Sequence, residues 1–293
     1  MIGKTILTNK IGHFIFPFLF VLLYGSGFVG AKYGLPYSTP LSFLTLRFFI
    51  AGAILLLIAK ILKESFPSLT DIFYISVAGS LTVATFSIGV FISIDMGLSP
   101  SLSAIIIALQ PIFVAILAKS FVDEEVMPRQ WFGLIIGLFG VLLVVFHNMD
   151  FSTAGLYSIL LSVVGLLGLT FGSLYQKKYC SNMSLFTGGS IQSLSSGFIC
   201  LILLLLFDSY KIIWSSEFVY ALSFMAIGVS IGALSLLYIM IQRSEVSKVA
   251  SLFYLVPVSA AITGYLIYDE VFDLLTGLGV VIVAIGVYLT NKK

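Results

Sequence analysis

The segment SAIIIALQPIFVAILAKSFVDEEVMPRQWFGLIIGLFGVLLVV, residues 103–145, returns in the same register as KVASLFYLVPVSAAITGYLIYDEVFDLLTGLGVVIVAIGVYL, residues 248–289. Pro111 pairs with Pro257, Asp123-Glu124 with Asp269-Glu270, Gly133 with Gly279 and Gly140 with Gly286, each partner lying 146 positions further on. Ala104/Ala250, Leu109/Leu255, Ala115/Ala261, Ile136/Ile282 and Val141/Val287 keep that offset without a gap, and Lys32-Tyr33 and Lys178-Tyr179 extend it weakly toward the start of each half. One unit written twice is a common construction for membrane carriers, in which a substrate site forms between two related halves.

Composition fixes the solvent. With 59% hydrophobic and only 10% charged residues, and a mean hydropathy of +1.14, the chain has too little polar surface to close around an aqueous core. Spans of about 20 apolar residues fall at 14–33, 40–60, 71–94, 99–119, 128–147, 153–175, 186–207, 217–240, 247–268 and 272–290. The first is too long for a removable signal peptide and has no small-residue cleavage site, so it is read as a helix that stays. The connections are short and none is low-complexity, which leaves no room for a soluble domain. The halves divide near residue 150, giving units 1–150 and 151–293.

The positions of the cations give the orientation. Lys4, Lys10, Lys60, Lys63, Lys119, Arg129, Lys177, Lys178, Arg243, Lys248, Lys292 and Lys293, 12 of the 15 Lys and Arg, fall at the termini or in alternate loops on one side. The positive-inside rule makes that side, and both termini, cytoplasmic. Five spans per half is an odd number, so the second half enters the membrane from the opposite face and the repeat is inverted. The fold expected is all-α, ten transmembrane helices in two inverted five-helix repeats.

The two quoted stretches resemble the two EamA repeats of the drug/metabolite transporter superfamily. The segments LYGSGFVGAKYG (23–34) and LRFFIAGAILLL (46–57) look like that family's small-residue first helix and the Arg-Phe start of its second. The resemblance covers almost the whole chain. It implies an inner-membrane carrier with a central cavity lined by both halves, often an exporter, in a family whose members move amino acids, metabolites, drugs or sugars.

Single residues then divide between function and architecture. Pro111 and Pro257 interrupt apolar runs, where proline removes a backbone hydrogen bond and clashes with the preceding turn; they are candidate hinges, or static kinks of the kind membrane helices tolerate. The Asp-Glu pairs sit where one helix hands over to the next, so capping of helix starts is favoured over acid–base chemistry. Arg47 lies about seven residues, roughly 10 Å, inside the second span. A charge there costs about 2.5–3.5 kcal/mol on insertion scales, so it should face the bundle interior, holding a substrate carboxylate or bonding helix-end carbonyls, with Asp95 a candidate counter-ion.

Tyr24 and Phe28 share a face of the first span beside Gly25, Ser26 and Gly27. With Arg47, Gln110, Gln192, Tyr238 and Tyr254 they are the candidate cavity residues, because amides and phenols in lipid must find partners; contact with another helix is the alternative for each. Gly133-x-x-x-Gly137 and Gly228-x-x-x-Gly232 mark either a homodimer face or internal packing. Cys180, in a cytoplasmic loop and expected exposed, and Cys200, within a span, are read as free thiols.

The sequence holds no GxxxxGK[ST] loop, HExxH or paired CxxC, and His13 and His147 lie far apart. No catalytic residue, metal site or cofactor is expected. The partners expected are a small-molecule substrate and the lipid bilayer, with no nucleic acid. The leading reading is a secondary exporter of a small organic solute such as an amino acid or related metabolite. A drug or sugar carrier and a non-transporting scaffold are the alternatives.

Overall fold

The computed structural model describes residues 12–146, 155–268 and 273–292. Among the described residues there are ten helices long and apolar enough to cross a membrane. They are α1 (Gly12–Gly34), α2 (Pro40–Ile61), α3 (Leu69–Asp95), α4 (Pro100–Ile107 continued by Gln110–Val122), α5 (Pro128–Val145), α6 (Leu156–Tyr179), α7 (Leu185–Phe207), α8 (Ser216–Arg243), α9 (Val246–Ser251, Leu252–Tyr254 and Leu255–Tyr268) and α10 (Leu274–Asn291). Their starts are written locally. Thr39, Ser68, Ser99, Ser215 and Asp273 each accept from a backbone N–H in the first turn of α2, α3, α4, α8 and α10, and Pro40 and Pro100 take the position where no N–H is needed.

Glycine decides which helices meet. A Cβ on Gly286 of α10 would lie 2.5 Å from the Gly137 nitrogen and 2.7 Å from the Gly133 oxygen, and one on Gly140 of α5 would lie 2.6 Å from the Val283 nitrogen. Backbone therefore rests on backbone, the geometry small residues permit in lipid. The contacts run Gly133 to Thr290, Gly137 to Gly286 and Gly140 to Gly279, so α10 descends as α5 advances and the pair is antiparallel. The α2/α7 pair does the same, with Phe49 against Gly197, Gly52 against Leu194 and Leu55 against Gly189. Equivalent helices of the two halves thus point in opposite directions, as an inverted repeat requires.

The remaining contacts come in matched sets. Helix α1 packs on α8 and α9, and its equivalent α6 packs on α3 and α4. Gly133 and Gly137 are consumed by these internal contacts, so that face is not available to a dimer. Large apolar side chains such as Phe73, Ile116, Phe132, Ile135, Leu205 and Leu206 point outward, where lipid tails are their natural neighbours.

Both ends of the α2/α7 pair are tied. At one end Thr39 N–H donates to the Lys211 carbonyl (3.2 Å) and Ile213 N–H to that of Tyr37 (2.7 Å), around an antiparallel bridge of Ser38 with Ile212. At the other end the Glu64 carboxylate accepts from the Ser184 hydroxyl and from Thr187 N–H (3.1 Å). Ser38 and Ser184 are equivalent under the 146-residue offset.

Three expectations change. Cys180, expected exposed, is buried against Ile75 and Ala78, and that burial pushes its thiol up to about 12; both cysteines are free. Glu124 accepts from Val246 N–H (2.7 Å) and so caps α9, a helix of the other half, whereas α5 starts on a Met127 N–H to Gln130 bond. Asp123 ends α4 in the left-handed region at φ 56°, and the hydrogen bond from Lys119 holds its carboxyl below the usual range. The pair Asp269-Glu270 lies outside the described residues.

Candidate functional site

The repeat places two departures from regular helix on each side of the molecular centre. Helix α4 breaks at Ala108 and Leu109, and α9 tightens into a three-residue 3-10 turn at Leu252–Tyr254. Pro111 and Pro257 lie two or three residues beyond these breaks, and the N–H each lacks would have bonded the carbonyl of Ile107 or Phe253. Both prolines are buried.

Helices α3 and α8 carry wide π turns at Ser80–Thr85 and Phe224–Ala233. Shifted by 146, the first falls inside the second. Each widening leaves carbonyls off the normal ladder, and in α3 hydroxyls take them up. Thr82 donates to Ala78 O at 2.7 Å and Thr85 to Ser80 O at 2.8 Å, as serine and threonine do in membrane helices. Such turns gather at functional sites.

Between those π turns and α1 and α2 lies a cavity with about 490 Å³ free of atoms, open solvent included. Tyr24 and Gly27 of α1, Arg47 of α2, Thr82, Phe86 and Phe91 of α3, and Met225 and Val229 of α8 form its walls. It is set between two aromatic clusters. Tyr24 packs against Phe20 and Phe86 as tilted rings and edge-on against Phe253, at ring separations of 5.2, 6.0 and 5.3 Å. Phe43 packs on Phe91 and Phe218, both at 5.8 Å.

Arg47 is the only charged wall residue among the described residues and is 5% exposed. Its Nε donates to Ser230 Oγ (2.8 Å), inside the α8 π turn, and its guanidinium lies 5.2 Å from the Phe48 ring centre. Among the described residues no carboxylate pairs with it. Asp95 lines a separate cleft with Asp208 and Lys211, so the expected counter-ion is replaced by a neutral hydroxyl.

Of the other candidates from the sequence, the side chain of Phe28 lies outside the described residues. Gln110, Gln192, Tyr238 and Tyr254 are buried but do not line this cavity. Gln192 Nε2 donates to Gln176 Oε1 (2.5 Å), joining α7 to α6. The Tyr254 ring fills the space left by Gly137, and among the described residues neither its hydroxyl nor either end of the Gln110 amide has a hydrogen-bond partner. Thr82, Ser87, Phe86, Phe91 and Ser230 were missed. The small and β-branched runs SLTVAT (80–85) and AIGVSI (226–231), at equivalent places in the two halves, were the available signal.

The cation-rich end of the bundle is closed by a polar cluster. Lys177 Nζ donates to the carbonyls of Ile241 (3.0 Å) and Ser244 (2.6 Å) at the end of α8, and lies 3.8 Å from Glu124 Oε1. Burial pushes the Glu124 carboxyl up, against the Val246 N–H bond and Lys177. Gln242 Nε2 donates to Met183 O (2.9 Å), and Gln130 Nε2 to Glu245 (3.2 Å). Under the offset Lys177 stands where the first half has Ala31, a wall residue of the cavity. The image of the cavity at the cation-rich end is therefore plugged by this side chain.

The profile of the EamA-like transporter family matches residues 11–146 and again 156–292. The chain belongs to that family. It is 25% identical to the uncharacterized transporter YvbV of Bacillus subtilis over 93% of this chain and 89% of that protein. It is 23% identical to a probable amino-acid metabolite efflux pump of Escherichia coli over 94% of this chain and 93% of that protein. A stronger but shorter match, 33% to the uncharacterized transporter YdfC of Bacillus subtilis, spans 55% of this chain and 53% of that protein. A solved crystal structure superposes with a TM-score of 0.78 over 94% of this chain and 96% of the other at 15% identity, a likeness of fold. As an EamA-like transporter with ten helices long and apolar enough to cross a membrane among its described residues, the chain is an integral membrane protein.

Proposed function

We propose that this EamA-like transporter is a secondary carrier that exports a small organic solute, such as an amino acid or related metabolite, by alternating access from a bacterial inner membrane, with both termini in the cytoplasm. The observation that carries the reading is Arg47, a buried charge without a carboxylate partner, on the wall of a cavity bounded by helices of both repeats while the cation-rich end is shut. A charge at that depth is kept where protein, water or ligand satisfies it. The name of the Escherichia coli relative supports the substrate class, and the distribution of Lys and Arg supports the orientation.

Purified protein in liposomes tests it directly. Efflux or uptake of candidate amino acids and carboxylates should saturate, and Arg47→Gln should weaken a carboxylate-bearing substrate by about 10- to 100-fold, the worth of a charged hydrogen-bonded contact, while sparing a neutral one. Equal loss for every substrate together with a lower yield of folded protein would make Arg47 structural instead.

Pro111 and Pro257 act, in this reading, as paired hinges, since each lies beside a break already present in its helix. The double variant Pro111→Ala/Pro257→Ala restores two backbone donors and should slow transport at least about threefold with normal membrane insertion. Wild-type transport at wild-type abundance would leave the breaks as static kinks.

A further inference from the structure

Resting on the carrier reading, the make-up of the cavity narrows the solute. Among the described residues its walls hold one fixed charge, Arg47, and no carboxylate. The guanidinium has five N–H donors, of which Nε is committed to Ser230 Oγ. The remaining fork is the part suited to a carboxylate, which it can hold through two parallel bonds. Around it the walls are Val83, Phe86, Val90, Phe91, Met225 and Val229. The polar atoms left are the hydroxyls of Tyr24, Thr82 and Ser87, and that of Thr82 already donates to Ala78 O.

A zwitterion would bring a second cation into this space. Its ammonium is tied to its own carboxylate, so it would come to rest within several ångströms of the guanidinium, with no acidic side chain among the described wall residues to offset it. At that separation in a partly buried site the repulsion is worth well over a factor of ten in affinity. A monoanion instead neutralises the cavity and leaves its hydrocarbon body against apolar and aromatic walls. Within the class proposed above, we infer that the solute is one of the related metabolites rather than an amino acid itself: an amphipathic monocarboxylate lacking an ammonium group, with its carboxylate on Arg47 and its apolar body between the π turns of α3 and α8.

A matched set of probes of one skeleton decides the point: 4-methylpentanoate, its primary amide, L-leucine, which is the same acid with an α-ammonium, and 3-methylbutylamine, which is leucine without its carboxylate. Binding to the purified full-length protein is measured by calorimetry, separately from transport in liposomes. The acid should bind at least about tenfold more tightly than L-leucine or the amide, and the amine should not bind. Arg47→Gln should erase the preference for acid over amide, whereas Arg47→Lys should keep part of it.

Binding of L-leucine equal to or tighter than that of the acid would overturn the inference, and would mean that the faces of Tyr24, Phe86 and Phe91 host the ammonium. Absence of acid binding by folded protein would overturn it as well. Acid binding without movement of any probe would leave the site as inferred and sink the carrier reading. Movement of L-leucine in preference to the acid would do the reverse.

Discussion

Gly286→Leu is expected to leave almost no folded protein. The Cβ alone would stand 2.5 Å from the Gly137 nitrogen, 2.6 Å from its Cα and 2.7 Å from the Gly133 oxygen. All three are backbone atoms of α5, so no side chain can rotate away, and the two helices must part along a seam where van der Waals contact is the main source of cohesion. Overpacking a core that can adjust costs about 1–3 kcal/mol; this one cannot adjust locally, so the cost should lie at or beyond the top of that range. Gly286→Ala should fall between wild type and Gly286→Leu. Gly155→Leu is the control, because a Cβ there meets only Ser158 Oγ at 4.0 Å, and its effect should stay within about 1 kcal/mol. Detergent-solubilised yield of monodisperse protein and its melting temperature read the series. A Gly286→Leu protein that melts with wild type would refute the close α5/α10 packing.

The two closing stretches showed that Gly133, Gly140, Gly279 and Gly286 repeat in register, but left Gly133-x-x-x-Gly137 between a dimer face and internal packing; that α5 and α10 are the two sides of one seam needed the backbone contacts. Ten apolar runs, two odd-numbered halves and segregated lysines led to the inverted bundle without reference to side-chain contacts. Arg47 was legible for one reason, that a charge inside an apolar run has few places to go. The rest of the cavity was not. Phe86, Phe91 and Val229 read as ordinary apolar residues, and only the widened turns of α3 and α8 bring them to one space.

Polarity alone also over-predicts. Gln192 looked like a cavity amide, yet its Nε2 donates to Gln176, because a second amide one helix away can take the place of a ligand for a buried donor. The plugged end was hidden for a related reason. Lys177 lies in α6 and Glu124 in the connection between α4 and α5, and each read as a loop-side charge until their shared contacts with the end of α8 and the start of α9 were seen.

Lys177→Met is expected to open that end of the molecule. The ammonium satisfies two carbonyls at the C-terminus of α8, where a cation suits the helix dipole, while Glu124 takes the first N–H of α9, where an anion does. Removing Lys177 strands both carbonyls and leaves Glu124, half-buried, without its nearby cation. Two charge-assisted bonds discounted for partial exposure come to about 1.5–3 kcal/mol, or at least a tenfold shift in the closed-to-open ratio. A single cysteine at Ser173, with Cys180 and Cys200 changed to serine, reports it. Ser173 is buried one turn from Lys177 and corresponds to the wall residue Gly27. In inverted vesicles an impermeant maleimide should label it about tenfold faster in the Lys177→Met protein than in the protein that keeps Lys177.

The direction of the pH effect follows from Glu124. Burial raises its carboxyl in this closed state, so the closed state holds that proton more tightly than an open one with the carboxyl in water. Closure should therefore strengthen as pH falls from the raised value toward the ordinary carboxylate range, and labelling should slow. Glu124→Gln keeps an acceptor for Val246 N–H and should remove this dependence. Labelling that is fast at every pH before Lys177 is touched, or that occurs only from the other face of the membrane, would show that the cluster is not a cytoplasmic closure.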